Sequence, residues 1–457
     1  MGKLRLLSAL PLGGEGAGDG GDGLRGYLVG GTAGVFSLRV LSAVLGFGVN
    51  LVLARTLGAG EYGVYHYVLA WVGLLAVVSA FGLDQVVVRE IAAHRAGSDW
   101  SLLYGLLRRI LRYRLIVAAI VISAAAGIAW LIGGLTGRPV PLAFWIALGL
   151  VPILSLSNLA NAALQGLRRV VVGIGADAVV AKPLLLVLLL SLPWWFTGNF
   201  TAIDAICISV ATAIVALLLR AVFLWRRIPQ EALENEPAYR GDIWLASAIP
   251  LLAVALLFEL NTRAPILLLG PVTGKEATGV FALSSALVGL VGFVLISINV
   301  VLSPVISSLY STGEMTRLQR IVTHGARAVM VIGGLGTLGL ILSRGWILGF
   351  FGREYMAGSS VLVILAMGQM ANLAGGSAGT ILVMTGRERE VAMTMGLSVL
   401  ITLTLGATLI PLWGAAGAAV AVLVSTVAWN AILVVRAVKS LGIDPTAVGI
   451  FTRFKRA

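Results

Sequence analysis

Apolar residues in this chain fall into about twelve long segments, which short polar loops separate. A helix needs about 20 apolar residues to cross the hydrocarbon core of a bilayer, and each segment is long enough. The pattern predicts an all-α polytopic membrane protein with about twelve transmembrane helices. The predicted spans are 33–54, 64–88, 112–134, 142–166, 171–193, 203–224, 244–268, 278–302, 322–343, 358–383, 391–412 and 415–436.

Positive charges are concentrated in every second loop. Of the 33 Lys and Arg residues, 25 lie in these loops (89–114, 168–169, 220–242, 317–327 and 387–389, which include the adjoining span ends), in the N-terminal tail or from Arg436 onward. Five lie in the other loops, and Arg39, Lys182 and Arg263 lie deeper inside spans. Because short basic loops stay in the cytoplasm, both termini are expected there, and the protein is expected to be multi-pass in the cytoplasmic (inner) cell membrane. The net charge of +13 is expected to face anionic lipids rather than nucleic acid.

The two halves of the chain resemble each other at an offset of 216 residues. Gly63 matches Gly279, and Arg220 matches Arg436. Because six spans is an even number, two six-helix lobes would share one orientation and be related by a pseudo-two-fold axis along the membrane normal. The predicted units are a disordered cytoplasmic tail (1–28), an N-terminal lobe (29–225), a cytoplasmic linker (226–243), a C-terminal lobe (244–440) and a basic cytoplasmic tail (441–457).

The first span carries a charge that is costly inside a membrane. Arg39 is followed on the same helical face by Ser42, Ala43, Gly46 and Asn50. Such a face is typical of the wall of a water-filled cavity. The alternative is tight packing through the small residues, with the arginine stem reaching along the apolar surface.

The seventh span contains Glu259 and Arg263 one helical turn apart, with Asn261 between them. The pair is interpreted in two ways. The carboxylate changes its protonation while Arg263 holds an anion, or the pairing only lowers the cost of inserting two charges.

Two further carboxylates lie within predicted spans. Asp177 is five residues from Lys182, so the two do not face each other directly, and Pro183 is expected to kink this helix. Asp84 is interpreted either as a proton carrier or as a cap at the membrane interface, and His66 as a headgroup-level side chain rather than a proton relay.

The chain contains no catalytic motif that would indicate an enzyme. It has no phosphate-binding Walker loop, no GxSxG and no HExxH. The single cysteine, Cys207, excludes an internal disulfide and a cysteine metal cluster. No enzyme activity, cofactor or metal is therefore expected.

The run from Leu51 to Tyr65, LVLARTLGAGEYGVY, strongly resembles the end of the first helix and the following loop in lipid-linked oligosaccharide flippases. These are the polysaccharide transporters of the multidrug/oligosaccharidyl-lipid/polysaccharide (MOP) exporter superfamily. The runs VVREIA at 87–92 and LIPLWGAAGAA at 409–419 also resemble this family. One position departs from it, because Thr262 precedes Arg263 where an Asp-Arg pair is expected. Glu259 is the candidate substitute.

The resemblance implies a flippase that moves polyprenyl-pyrophosphate-linked oligosaccharide from the inner to the outer leaflet for cell-surface polysaccharide biosynthesis. Two lobes would alternate access to a cationic cavity. The implied partners are the lipid-linked oligosaccharide and membrane lipids, with a polysaccharide polymerase or glycosyltransferases as candidate proteins. Two alternatives stay open: a proton- or sodium-coupled multidrug or cation antiporter of the same superfamily, and a non-transporting membrane scaffold of a glycan-synthesis complex.

The candidate site residues follow from these considerations. Those expected to bind substrate are Arg39, Asn50, Lys182, Asn261 and Arg263. Those expected to couple transport to a proton or ion are Glu259, Asp177 and Asp84.

Overall fold

The computed structural model describes residues 21–96, 99–137, 140–191, 200–227 and 241–449, and every regular element in these ranges is helical. The elements are α1 (Gly21–Ala80), α2 (Leu83–Ala96), α3 (Trp100–Thr136), α4 (Leu142–Leu148), α5 (Leu150–Gly166), α6 (Val170–Gly175), a π-helical turn (Ala176–Ala181), α7 (Lys182–Ser191), α8 (Ala202–Trp225), α9 (Gly241–Thr273), α10 (Lys275–Ser311), α11 (Met315–Leu342), α12 (Arg344–Phe351), a 3-10 turn (Arg353–Gly358), α13 (Ser359–Ala374), α14 (Ala378–Met384) and α15 (Glu388–Leu441).

In these ranges, ten helical stretches are long and apolar enough to cross a membrane, which confirms the all-α membrane fold. Two of the stretches contain a glycine with non-helical backbone angles, Gly58 in α1 (φ 67°, ψ 172°) and Gly414 in α15 (φ 57°, ψ −132°). The sequence predicts a loop over 55–63, whereas the structure continues the helix on both sides of Gly58. The count of twelve spans stays a prediction, and it matches the helices when each kinked one is counted twice.

The internal repeat is visible in the backbone. Gly58 and Gly274 stand 216 residues apart and have nearly the same angles, with φ 67° and 85° and ψ 172° and −177°. This combination of positive φ with a ψ near 180° is accessible essentially to glycine alone. Each glycine begins a helix, α10 after Gly274 and the second part of α1 after Gly58.

These two helices cross each other reciprocally. A Cβ atom on Gly63 would lie 1.9 Å from the carbonyl oxygen of Lys275, and one on Gly279 would lie 1.9 Å from that of Ala59. Lys275 and Ala59 are themselves 216 residues apart, so the two contacts are related by the repeat. The lobes therefore touch backbone to backbone near the membrane face that the charge pattern assigns to the outside. Leu53, Leu57, Phe281 and Leu283 belong to the apolar core around this crossing.

The predicted boundaries between units fall partly outside the described residues. Residues 1–20 and 228–240 lie outside them, while 21–28 form the first turns of α1. The first residues of the predicted C-terminal tail dock on α11. The Gln319 side chain donates to the carbonyl oxygen of Asp444 and accepts from its amide, both at 2.8 Å, and Ile443 is buried.

Candidate functional site

A polar cavity of about 380 Å³ lies between helices of the N-terminal lobe and α10 of the C-terminal lobe. It brings together Arg39 and Lys182, two of the predicted substrate-binding residues. The lining residues are Arg39, Ser42, Ala43, Asn161, Gln165, Val170, Ile174, Lys182 and Phe293. Both cations therefore face one shared polar space.

Arg39 is the exposed cation of this cavity. Among the described residues it has no hydrogen bond or ion pair with another side chain. Ser42 and Ala43, which follow it by one helical turn, also line the cavity, as the helical face predicts. A guanidinium left without a protein partner is available to an anion, which it can bind through two parallel hydrogen bonds.

Lys182 reaches the same space from α7. Its ammonium donates to the Ser42 hydroxyl at 2.6 Å and to the Ser42 carbonyl at 2.7 Å. The π-helical turn ends at Ala181, directly before Lys182 and Pro183. Since proline has no amide hydrogen and clashes with the preceding turn, a wider turn there relieves the clash and also sets the direction of Lys182.

Two amide side chains in this cavity were not predicted from the sequence. Asn161 and Gln165 stand one turn apart on α5, and Phe293 contributes an aromatic ring from α10. The sequence feature that could have indicated them is the presence of two polar amides within an otherwise apolar span. Together they add neutral hydrogen-bonding groups and an apolar wall to the two cations.

Asn50 is engaged within α1 instead. It accepts a hydrogen bond from the Tyr62 hydroxyl at 2.9 Å and donates to the carbonyl of Gly46 at 2.9 Å. These bonds connect the helix before the Gly58 kink with the helix after it. The structure therefore places Asn50 as a brace of the kink and outside the polar cavity.

Glu259 and Arg263 form the expected pair on α9, with the Arg263 Nε 2.9 Å from the carboxylate. The pair lies against Gly73 of α1, where a Cβ atom would be 2.4 Å from the Glu259 carboxylate oxygen. Arg263 is not among the residues that line the polar cavity with Arg39, so the two predicted substrate-binding arginines lie apart in this arrangement. Asn261 faces another way, toward the Ser398 hydroxyl on α15 at 3.2 Å.

The two remaining carboxylates are paired with arginines at the ends of predicted spans, which the charge count grouped with the adjoining cytoplasmic loops. Asp84 binds Arg114 of α3, whose side chain is fully buried and also donates to the carbonyl of Ser155 on α5. Asp177 binds the buried Arg220 of α8, which also donates to the Ser157 hydroxyl on α5. Arg114 therefore holds α5 to α3, and Arg220 holds α5 to α8.

The repeat extends to one of these anchors. Arg220 donates from Nε to the carbonyl of Gly173 at 3.2 Å, and its repeat partner Arg436 donates to the carbonyl of Glu390 at 3.0 Å. Each arginine lies near the end of its lobe and also meets a carboxylate, on Asp177 and Glu390 respectively. These charges consequently hold each lobe together.

A second cavity, of about 650 Å³, is mainly apolar. It lies between α1, α3 and the start of α10, with Tyr67, Trp71, Ile128 and Phe144 in its wall. Such a lining suits a hydrocarbon chain and does not suit a charged headgroup. The polar cavity is therefore the better candidate for binding a charged substrate.

Comparisons with known proteins agree with this architecture. The "Capsular polysaccharide biosynthesis protein CapF" of Staphylococcus aureus is 27% identical over 181 residues, which cover 39% of this chain and 45% of that protein, so less than half of its length is matched. A multidrug resistance MATE family transporter of the MOP superfamily, solved in an inward-facing conformation, has a TM-score of 0.72 at 14% identity, covering 88% of this chain and 96% of that one.

The structure of the lipid II flippase MurJ in an inward closed conformation has a TM-score of 0.67 at 14% identity, covering 89% of this chain and 87% of that one. At these identities the two structures show the fold alone. The profile of the family described as "Polysaccharide biosynthesis protein" matches residues 28–310, more than half of the 457-residue chain. This match confirms the resemblance carried by the run from Leu51 to Tyr65, and the chain belongs to that polysaccharide biosynthesis family.

Proposed function

We propose that this protein is a flippase for polyprenyl-pyrophosphate-linked oligosaccharide, which it moves from the inner to the outer leaflet of the cytoplasmic membrane. The observation that carries the proposal is the polar cavity in which Arg39 and Lys182 meet. A sugar-pyrophosphate headgroup cannot cross about 30 Å of hydrocarbon unaided. Two cations in one polar cavity replace its hydration, and the guanidinium can pair with phosphate oxygens bidentately.

The arrangement of the lobes supports alternating access. The reciprocal crossing of Gly63 and Gly279 brings the lobes together near one membrane face, and the polar cavity lies toward the other end of α1. The charge pattern assigns the cavity end to the cytoplasm, where the substrate would be assembled. An inside-negative potential then favours outward movement of the anionic headgroup by about 2.3 kcal/mol per charge per 100 mV. The lipid tail remains in the bilayer.

The ion pairs distinguish this proposal from a cation antiporter. The carboxylates of Asp84, Asp177 and Glu259 could attract a cationic drug, but each is paired with an arginine. Arg39 has no such counter-charge among the described residues. The net electrostatics of the polar cavity therefore favour an anion. A scaffold role would need neither this cavity nor its cations. A polymerase or glycosyltransferases that supply and use the substrate are the proposed protein partners.

The decisive experiment is reconstitution. Purified protein is placed in liposomes that carry farnesyl-pyrophosphoryl-N-acetylglucosamine in both leaflets, and a galactosyltransferase is added outside with its sugar donor. We expect the protein to expose the inner-leaflet headgroups, so that labelling proceeds to completion instead of stopping at the outer-leaflet fraction. Labelling that stops at that fraction, together with pumping of a cationic dye, would favour the antiporter.

For coupling, we propose Glu259 over Asp84 and Asp177. Arg114 and Arg220 are buried and also bound to α5, so their carboxylate partners serve as anchors. Arg263 is one-third exposed, and among the described residues its side chain donates a hydrogen bond to Glu259, so it is free to alternate between this carboxylate and a substrate phosphate. A carboxylate released from its partner within a membrane can take up a proton.

The Glu259→Gln variant is therefore expected to transport without responding to an imposed pH gradient, since the amide cannot exchange a proton. The measurement is the rate of outer-leaflet labelling in liposomes with and without a gradient. The exposed Glu314 on the surface of the same lobe provides the control variant Glu314→Gln, which should respond normally. An unchanged gradient response in Glu259→Gln would show that substrate gradient and membrane potential drive transport without this residue.

A further inference from the structure

The C-terminal lobe contains a group of amide side chains that the proposed mechanism does not use. Asn299 lies on α10, Gln369 and Asn372 lie one turn apart on α13, and Asn430 lies on α15. The Asn430 amide donates to the Asn372 side-chain oxygen at 3.3 Å and to the carbonyl of Thr426 at 2.9 Å. We call these four residues the amide cluster. It has hydrogen-bond donors and acceptors but no charged member.

Two members of the amide cluster have polar atoms without a partner. The side-chain oxygen of Asn299 and the side-chain nitrogen of Gln369 are buried, and neither has a hydrogen bond among the described residues. In a membrane interior, unpaired polar groups of this kind are unfavourable, because no water replaces the missing bond. Interhelical adhesion would account for paired amides such as Asn372 and Asn430, but it does not account for these two atoms.

The amide cluster adjoins the polar cavity through α10. Phe293 lines the cavity on the side of the N-terminal lobe. Its neighbour Gly292 faces α13, where a Cβ atom would lie 3.1 Å from the Gln369 side-chain nitrogen. Asn299 follows Gly292 by two helical turns and so shares its face. The cationic wall and the neutral, hydrogen-bonding wall therefore meet at neighbouring faces of α10.

We infer that the amide cluster binds the sugar portion of the substrate, while Arg39 and Lys182 bind its pyrophosphate; this inference rests on the proposed function. Sugar hydroxyl and acetamido groups donate and accept hydrogen bonds, as do amide side chains, and they need no counter-charge. A second phosphate would require a cation, which the amide cluster lacks. The headgroup would thus contact both lobes, and its binding would be sensitive to how the lobes are arranged.

The test compares two probes that differ only in the sugar. Farnesyl pyrophosphate has the pyrophosphate alone, and farnesyl-pyrophosphoryl-N-acetylglucosamine adds one sugar. Binding of each to the full-length protein in nanodiscs is measured by calorimetry. The variants are Gln369→Met and Asn299→Leu, which keep side-chain size and remove hydrogen bonding. Thr404→Val, at an exposed position of the same lobe whose hydroxyl bonds only to its own helix, is the matched control.

We expect both variants to weaken binding of the sugar-bearing probe about threefold to tenfold, the effect of losing one neutral hydrogen bond. Binding of farnesyl pyrophosphate should stay unchanged, and Thr404→Val should alter neither. Equal weakening of both probes, or no change in either variant, would overturn the inference while leaving the proposed function intact. If the unaltered protein binds neither probe, the proposed function fails, and this inference fails with it. Use of two variants on different helices guards against misfolding of one.

Discussion

Replacing Arg114 with alanine is expected to lower the free energy of unfolding by about 3 kcal/mol. The Arg114 side chain is fully buried and joins three helices, since it binds Asp84 of α2 and the carbonyl of Ser155 on α5 from its own place on α3. Without it, Asp84 loses its counter-charge and the Ser155 carbonyl loses its donor. This value is at the lower end of the range of about 3–5 kcal/mol for breaking a buried ion pair, because the Asp84 side chain is 37% exposed.

The measurement is chemical unfolding of the purified protein in detergent micelles. Arg112→Ala, an exposed position two residues away on α3, is the matched control and should change stability by less than about 0.5 kcal/mol. The double variant Asp84→Ala with Arg114→Ala should lose less stability than the two single losses combined, because no charge is then left unpaired. Equal stability of the Arg114→Ala and Arg112→Ala proteins would show that this pair does not anchor α5.

The placement of Arg114 and Arg220 shows why some buried ion pairs could not be predicted from the sequence. A charged residue near the end of an apolar segment is normally assigned to the loop, because hydropathy alone sets the boundary. Here both arginines lie inside helices, where a carboxylate and main-chain oxygens of neighbouring helices compensate them. The compensating groups come from distant parts of the chain, so no local pattern reveals them.

Fold features that depend on local chemistry could be predicted. Segment length predicted a multi-spanning helical protein, and the matching glycines at 63 and 279 lie at the crossing between the lobes. The kink at Gly58 could not be separated from a loop, because the helical backbone is interrupted at this one glycine and polar residues flank it, as they would flank a loop.

For the candidate site residues, helical periodicity predicted which residues share a face of one helix, but not which neighbouring helix that face contacts. It correctly placed Ser42 beside Arg39 on one wall of the cavity. It could not show that Asn50 bonds to Tyr62, or that Asn261 contacts Ser398 on α15. Residues two apart in a helix are about 200° apart around its axis, so Asn261 and Arg263 face different neighbours. Which neighbour each face meets is a property of the packed fold.

Replacing Arg39 with alanine is expected to slow headgroup exposure at least tenfold and to weaken binding of farnesyl pyrophosphate by about the same factor. A hydrogen bond to a charged group contributes about 1.5–3 kcal/mol, and 1.4 kcal/mol corresponds to a tenfold change in affinity. Since Arg39 has no polar partner among the described residues, its loss should leave insertion and melting temperature unchanged. The measurements are outer-leaflet labelling in liposomes and calorimetry.

The lysine variant separates charge from geometry. Arg39→Lys keeps the positive charge but loses the planar pair of donors, so it should transport at an intermediate rate. Arg317→Ala, which removes a surface arginine with a 66% exposed side chain, is the matched control and should transport normally.

Lys182→Ala should also weaken pyrophosphate binding, although the Ser42 groups it leaves unpaired add a stability cost that Arg39→Ala lacks. Normal binding and transport in both Arg39→Ala and Lys182→Ala would exclude the polar cavity as the pyrophosphate site. Arg263 would then be the remaining in-span arginine of the predicted set, and the headgroup would bind between α1 and α9, where the Glu259–Arg263 pair packs against Gly73.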